Sequence, residues 1–93
     1  MLIRVRFFGD LQEYLKKSWM TIEVPQGSSV HDFIFELAKT VDPNLLEKMI
    51  EKDRIRSEIK MLVNGRNIAH LSGLKTELKD HDLVSILPIA GGG

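Results

Sequence analysis

The first residues of the chain alternate between apolar and polar side chains with a period of two, which predicts a β-strand over 2–8. A second alternation over 19–24 predicts a second strand, and the Pro-Gln-Gly that follows predicts a turn. The segment 11–17 between them is expected to be a short irregular or helical connection. Each strand has one buried face, and the opposite face of the first strand carries Leu2, Arg4, Arg6 and Phe8.

A different periodicity, of three to four residues, runs from Val30 to Val41 and predicts an amphipathic helix. Ser29 is placed to be its N-cap, with an acidic residue three positions later in a variant of the capping box. The Asp-Pro pair at 42–43 is expected to end this helix, because the residue before proline is pushed out of the helical region. A shorter helix is predicted over 44–52.

The remainder of the chain is predicted to contain two more strands, over 59–63 and 83–87. The segment 53–58 is expected to be a solvated, mobile connection, and 68–78 to be irregular. Asn64-Gly65 predicts a tight turn, because both residue types tolerate positive φ. This order of elements indicates an α+β fold with a sheet packed on the 30–41 helix.

The composition narrows the possible functions. Ninety-three residues suit one domain, and the chain has no cysteine, which excludes disulfides, cysteine-ligated metals and a thiol nucleophile. Its 13 Lys and Arg balance 13 Asp and Glu, which argues against nucleic-acid binding by bulk charge. No apolar run approaches the roughly 18 residues of a membrane span. We therefore expect a cytoplasmic protein with neither nucleic acid nor membrane as a partner.

Candidate catalytic groups are sparse. His31, His70 and His81 fall in separate predicted elements without the spacing of metal ligands, so no metal site is expected. The serines lack a nucleophile motif, and the isolated glycines form no phosphate-binding loop. The chain is thus expected to have no catalytic site of its own.

The C-terminus is the unusual feature. A folded body over 1–88 is predicted to end at Pro88, followed by a glycine-rich tail over 89–93. Glycines bury no side chain and lose much backbone entropy when ordered, so the tail adds nothing to a core. A backbone without Cβ atoms can instead enter a narrow channel and present its carboxylate in the active site of another protein. The alternative interpretation is a fraying end without function.

Several motifs resemble those of the ubiquitin-like sulfur carriers: the Val63-Asn64-Gly65 turn, the run 73–82 and the close 86–93. The likeness covers nearly the whole chain and is closest to the small subunit of molybdopterin synthase, including its archaeal-type versions. It implies a β-grasp fold, a mixed sheet with one main helix on one face. Two residues depart from the family pattern: His81 replaces a common glycine, so its turn is expected to be strained or of another type, and Gly91 replaces Thr, Ser or Ala.

The resemblance also implies a function. In the family, the terminal carboxylate, here that of Gly93, is adenylated by a ubiquitin-activating-type partner that uses ATP and Mg²⁺. A persulfide from a sulfurtransferase then displaces AMP and leaves a thiocarboxylate, whose sulfur passes to a pterin precursor in the large synthase subunit. Gly92 and Gly93 are the implied reactive end, and the chain itself is expected to bind no cofactor.

Three other functions remain open at this point. The activated Gly93 could be joined to lysines of other proteins, as in a ubiquitin-like modifier. The sulfur could instead serve thiamin synthesis or tRNA thiolation. The chain could also be an interaction module in which the glycines are incidental.

Docking to partners requires a surface, which we expect on the sheet face away from the helix. An apolar patch with a charged rim is typical of partner sites. A shift of one residue in the facing of the last two strands would invert this expectation. The predicted partner-binding residues are Arg4, Arg6, Phe8, Leu62, Leu83, Leu87, Pro88, Ile89, Ala90 and Gly91.

Overall fold

The computed structural model describes residues 1–89, which form a mixed β-sheet and three α-helices. Two 3-10 helices occupy Ile68–His70 and Gly73–Lys75, within the segment predicted to be irregular. The order of the other elements is β1 (Leu2–Phe7), α1 (Gly9–Leu15), β2 (Trp19–Glu23), α2 (Val30–Thr40), α3 (Leu45–Met49), β3 (Ile50–Glu51), β4 (Arg54–Ile55), β5 (Ile59–Val63), β6 (Arg66–Asn67) and β7 (Leu83–Pro88).

Five strands form the main sheet, in the order β2-β1-β7-β5-β6. The first and last strands of the sequence, β1 and β7, are parallel neighbours at its centre, and the β1–β2, β5–β7 and β5–β6 pairs are antiparallel. In the β1–β7 register, Arg4 is opposite Leu83 and Phe7 is opposite Ile86. The mixed sheet and its main helix agree with the predicted α+β class.

Helix α2 covers one face of this sheet. Its capping box is complete, because the Asp32 amide donates to Ser29 Oγ at 3.2 Å and the Ser29 amide donates to Asp32 Oδ2 at 3.0 Å. The apolar stripe of α2 and the inward side chains of the strands belong to one hydrophobic cluster. The buried residues of α2 are Val30, Phe33, Ile34, Leu37 and Ala38. None of the helices formed by residues 1–89 has the length and apolar character of a membrane span.

The segment after α2 differs from the sequence prediction. The second helix ends at Met49 instead of continuing to 52, and a short strand, β4, lies within the predicted solvated connection 53–58. Strands β3 and β4 form a hairpin in which Ile50 is opposite Ile55. Both isoleucines are half-buried against the core, so burial overrides the helical preference of the local Glu-Lys sequence.

The connection 11–17 takes the helical of its two predicted forms, and helix α1 begins two residues earlier, at Gly9, and ends at Leu15. Leu11 is buried, and the Tyr14 hydroxyl donates to Asp42 Oδ2 at 2.6 Å. This hydrogen bond links α1 to the loop between α2 and α3.

The turn at 80–82 joins several elements at one end of the sheet. The Leu2 amide donates to Asp80 Oδ1 at 2.7 Å, and the His81 amide donates to the Leu2 carbonyl at 2.7 Å. Asp82 accepts from Asn64 Nδ2 at 2.9 Å, which connects this turn to the Asn-Gly turn. His81 has a φ of 68°, in the left-handed region, so the glycine-type backbone persists with a bulkier residue.

We predict that His81→Gly stabilises the protein. A residue with a Cβ in the left-handed region costs about 1–2 kcal/mol of stability, and glycine avoids this cost because it has no Cβ. The more flexible unfolded chain of a glycine variant offsets about 0.4–1 kcal/mol of this gain. Urea unfolding should therefore show a rise in the free energy of unfolding of up to about 1.6 kcal/mol. The matched control is His81→Ala, which keeps the Cβ; an equal gain in that variant would contradict the backbone explanation.

A second prediction concerns acid stability. The hydrogen bond from the Leu2 amide holds the pKa of Asp80 below its ordinary value of 3.8. A depressed carboxyl pKa stabilises the fold above the unfolded-state pKa, and this contribution is lost as the pH falls through the folded-state pKa. Asp80→Asn should be less stable than the unaltered protein at about pH 7, and the difference should be smaller at about pH 2. Urea unfolding at both pH values checks this, and a constant difference would contradict it.

Candidate functional site

Strand β7 carries the chain to its C-terminal segment from the centre of the sheet. Its last residue, Pro88, is opposite Ile59 of β5, and the Ile89 amide donates to the Glu58 carbonyl at 2.7 Å. The backbone is therefore held by neighbouring segments as far as Ile89. The predicted reactive end and its approach, Ala90, Gly91, Gly92 and Gly93, lie outside the described residues, so their roles stay predictions.

The strands divide their side chains between the core and the opposite face of the sheet. Val84, Ile86 and Met61 are buried in the core. The alternate residues Leu62, Leu83 and Leu87 are half-buried and lie on the sheet face away from α2. We call this surface the outer face; it is formed by the outward side chains of Trp19, Arg4, Arg6, Leu83, Leu87, Leu62 and Lys60.

Two arginines of the outer face are held by neighbouring groups. Arg4 donates from Nε at 3.2 Å and from Nη2 at 3.1 Å to the His81 carbonyl. The Arg6 guanidinium lies 5.6 Å from the ring centroid of Phe8, within range of a cation–π interaction. Because these side chains are already ordered, binding a partner would cost them less conformational entropy.

Trp19 belongs to the outer face but was not among the predicted partner-binding residues. It is opposite Arg6 in the β1–β2 register and is 63% exposed. A depression of about 320 Å³ lies beside it, with Arg4 and Leu83 in its lining. The signal was available in the sequence, because the alternation that points Met20 inward must point Trp19 outward.

The charge on the outer face is unbalanced, although the whole chain has a net charge of zero. Arg4 and Arg6 project from β1, and Lys60 projects from β5. The acid at the end of β2, Glu23, lies 3.5 Å from the N-terminal ammonium, which already offsets its charge. The outer face is thus an apolar surface with a basic rim, and it complements an acidic partner surface.

A second concave surface lies where β7 ends. This groove, of about 530 Å³, is lined mainly by Leu11, Tyr14, Ile59 and Pro88. The Lys48 ammonium at its edge lies 4.5 Å from the ring centroid of Tyr14. The sequence could not reveal this groove, because its walls come from α1, α3 and β5, which are distant along the chain.

The described residues contain no candidate site for a catalytic metal ion. Within residues 1–89, no three His, Asp or Glu side chains are grouped so that they could hold a metal ion. The three histidines lie in α2, in the 68–70 helix and in the 80–82 turn. What the geometry offers is a firmly held C-terminal exit beside a surface suited to a protein partner.

Comparison with known proteins identifies relatives along the whole chain. A model of the ThiS family matches residues 5–93. Small archaeal modifier protein 3 of Haloferax volcanii is 31% identical over 93 residues, which cover all of both chains.

Solved structures share the fold. The solution structure of the HVO 2177 protein of Haloferax volcanii matches with a TM-score of 0.86 and 31% identity, covering 100% of this chain and 87% of that one. A candidate molybdopterin converting factor subunit 1 of Pyrococcus furiosus matches with a TM-score of 0.76 and 24% identity over 97% and 99% of the two chains, a likeness of fold alone. The expected β-grasp fold is confirmed.

Proposed function

The chain belongs to the ThiS family of ubiquitin-like sulfur carriers and modifiers, and from this premise we propose that its C-terminal carboxylate is the group that a partner enzyme activates. One observation carries the proposal: the central strand β7 is held by its neighbours up to Ile89, and only four residues follow. Those four residues have at most a methyl side chain and can extend by roughly 13–14 Å. The terminus can therefore be presented to an enclosed active site from a fixed point.

The proposed chemistry begins with the carboxylate of Gly93, because an α-carboxyl group is an anion at neutral pH. It attacks the α-phosphate of ATP and displaces pyrophosphate, giving an acyl adenylate. A persulfide sulfur then attacks the acyl carbon, AMP leaves, and a thiol cleaves the acyl disulfide to release a thiocarboxylate. The ATP and Mg²⁺ belong to the activating enzyme, and the persulfide belongs to a sulfurtransferase.

For the acceptor, we propose the pterin precursor held by the large subunit of molybdopterin synthase. The support is the similarity of the 63–65 turn and of the 86–93 close to the small subunit of that enzyme. In this role the chain is a cosubstrate and a subunit of the synthase, with no catalytic side chains of its own.

A second candidate is a protein modifier. It is favoured by the full-length similarity to small archaeal modifier protein 3. Both functions share the adenylation step and diverge afterwards, because a lysine amine in place of a sulfur nucleophile attacks the acyl carbon and forms an isopeptide bond. Sulfur carriage to thiamin or tRNA would share the thiocarboxylate and differ only in the acceptor.

We further propose that the outer face docks the activating enzyme and the large subunit. Its central leucines can exclude water, and its basic rim can orient an acidic partner surface. Leu83 and Leu87 belong to the same strand as Pro88, so a partner that binds them also receives the C-terminal segment at a fixed distance.

Intact-mass measurement tests the carrier chemistry. Incubating the protein with ATP, the adenylating enzyme of its organism and a persulfide donor should raise its mass by about 16 Da, because one oxygen of the Gly93 carboxylate is replaced by sulfur. Deletion of Gly93 should abolish this gain while leaving the melting temperature unchanged, because a glycine has no side chain to contribute to a core.

An unchanged mass, under conditions in which another carrier is activated by its own enzyme, would contradict the proposed sulfur chemistry and favour the interaction-module hypothesis. Branched peptides that join Gly93 to lysines of other proteins would establish the modifier function instead.

The outer face can be tested by placing a charge at its centre. Leu83→Asp should raise the KM for this protein in ATP–pyrophosphate exchange by about tenfold or more, because a carboxylate would replace an apolar contact and oppose an acidic partner. The matched control is Phe35→Asp, because Phe35 is an exposed residue of α2, the helix that covers the opposite face of the sheet. This variant should leave the KM unchanged. Equal effects of the two variants would contradict docking through the outer face.

A further inference from the structure

The segment 56–58 contacts the last residue that the structure describes. Its ends are held by backbone hydrogen bonds: the Arg56 amide donates to the Met49 carbonyl at 2.8 Å, and the Ile59 amide donates to the Arg56 carbonyl at 3.0 Å. The carbonyl of Glu58 accepts the Ile89 amide at 2.7 Å. We call segment 56–58 the support, because its Glu58 carbonyl holds the chain at the point where it leaves the sheet.

The side chain of Arg56 connects that support to two other elements. Its Nε donates to the Glu47 carbonyl in α3 at 2.7 Å. Its Nη1 lies 3.7 Å from Glu51 in β3 and 3.9 Å from Glu58 in the support itself. The side chain is 33% exposed, and its short hydrogen bond to a carbonyl restricts it more than the two longer ion pairs do.

We propose that Arg56 is a positioning residue for the C-terminal segment: it holds the Glu58 carbonyl where that atom binds the Ile89 amide, and so sets the point at which the chain leaves the folded body. The role in activation rests on the function proposed above. The structural part does not, because the hydrogen bond belongs to the free protein.

The position of this point has a consequence for the reach of the terminus. With Ile89 held, four residues remain, which span roughly 13–14 Å when extended. With Ile89 released, five residues remain and can span roughly 17–18 Å in many more conformations. A partner that binds the segment in one conformation must then order one more residue, so the loss should be in binding and not in the chemical step.

Arginine suits this role better than lysine. A planar guanidinium can donate toward a carbonyl with one nitrogen while another faces carboxylates, whereas an ammonium is a single point charge on a flexible stem. Arg54, in the same hairpin, provides a matched comparison, because it forms no ion pair with any of residues 1–89 within 4.0 Å.

Hydrogen exchange in the isolated protein tests the structural part. In Arg56→Ala, the Ile89 amide should exchange about five- to tenfold faster, the factor expected from weakening one hydrogen bond. The Val84 amide in the sheet centre should be unchanged, Arg54→Ala should match the unaltered protein at both amides, and Arg56→Lys should be intermediate. Equal exchange of Ile89 in Arg56→Ala and the unaltered protein would overturn the proposal. If Val84 also exchanges faster in Arg56→Ala, that variant has destabilised the whole sheet, and the milder Arg56→Lys is compared with the unaltered protein instead. Equal exchange of Ile89 in these two proteins would then overturn the proposal.

Steady-state ATP–pyrophosphate exchange with the adenylating enzyme tests the role in activation. Arg56→Ala should raise the KM for this protein several-fold with kcat unchanged, and Arg54→Ala should change neither. A faster Ile89 exchange with an unchanged KM would overturn the positioning role. If the unaltered protein itself supports no pyrophosphate exchange, the proposed function fails, and the Ile89 result still decides the structural part.

Discussion

The parallel pairing of the first and last strands is the constraint on which the rest of this structure depends. Strands β1 and β7 are joined side by side at the centre of the sheet, and every other element is arranged around them. Such a contact closes a loop of nearly the whole chain, so it forms only when the intervening helix and strands supply enough burial to offset the entropy. The same pairing places β7, which leads to the C-terminal segment, at the centre of the sheet, whereas Pro88 and Ile89 at the exit are held by Ile59 and Glu58.

Strand β7 serves the core and the partner surface at once because its side chains alternate. Val84 and Ile86 are buried under α2, whereas Leu83 and Leu87 lie on the outer face. Substitutions on the two faces should therefore separate stability from binding, because successive side chains of a strand point to opposite faces of the sheet. The arrangement also explains how a chain with no net charge can present a basic surface, since two strands, β1 and β5, contribute their cations to the same side.

The turns at the end of the sheet show how a local departure from the family pattern is accommodated. His81 occupies a left-handed backbone conformation that glycine adopts more easily. Its neighbours Asp80 and Asp82 accept hydrogen bonds from the Leu2 amide and from Asn64 Nδ2, and these bonds hold that conformation in place. The His81 carbonyl in turn accepts hydrogen bonds from Nε and Nη2 of Arg4. From the sequence, His81 was expected to affect only the stability of its turn. In the structure, the same turn also orders Arg4 of the outer face.

The sequence alone determined the strands β1, β2, β5 and β7, the helix α2 with its Ser29 cap, the facing of Leu62 and Leu83, and the family, because periodicity and short motifs are local properties of the chain. It was wrong about the end of the second helix, where Ile50 begins strand β3 and the burial of Ile50 and Ile55 outweighs local helix preference. The groove beside Pro88, the unbalanced charge of the outer face and the hydrogen bond between Glu58 and Ile89 were decided by tertiary structure. Each depends on residues that are distant in sequence, and only the register of the packed strands brings them together.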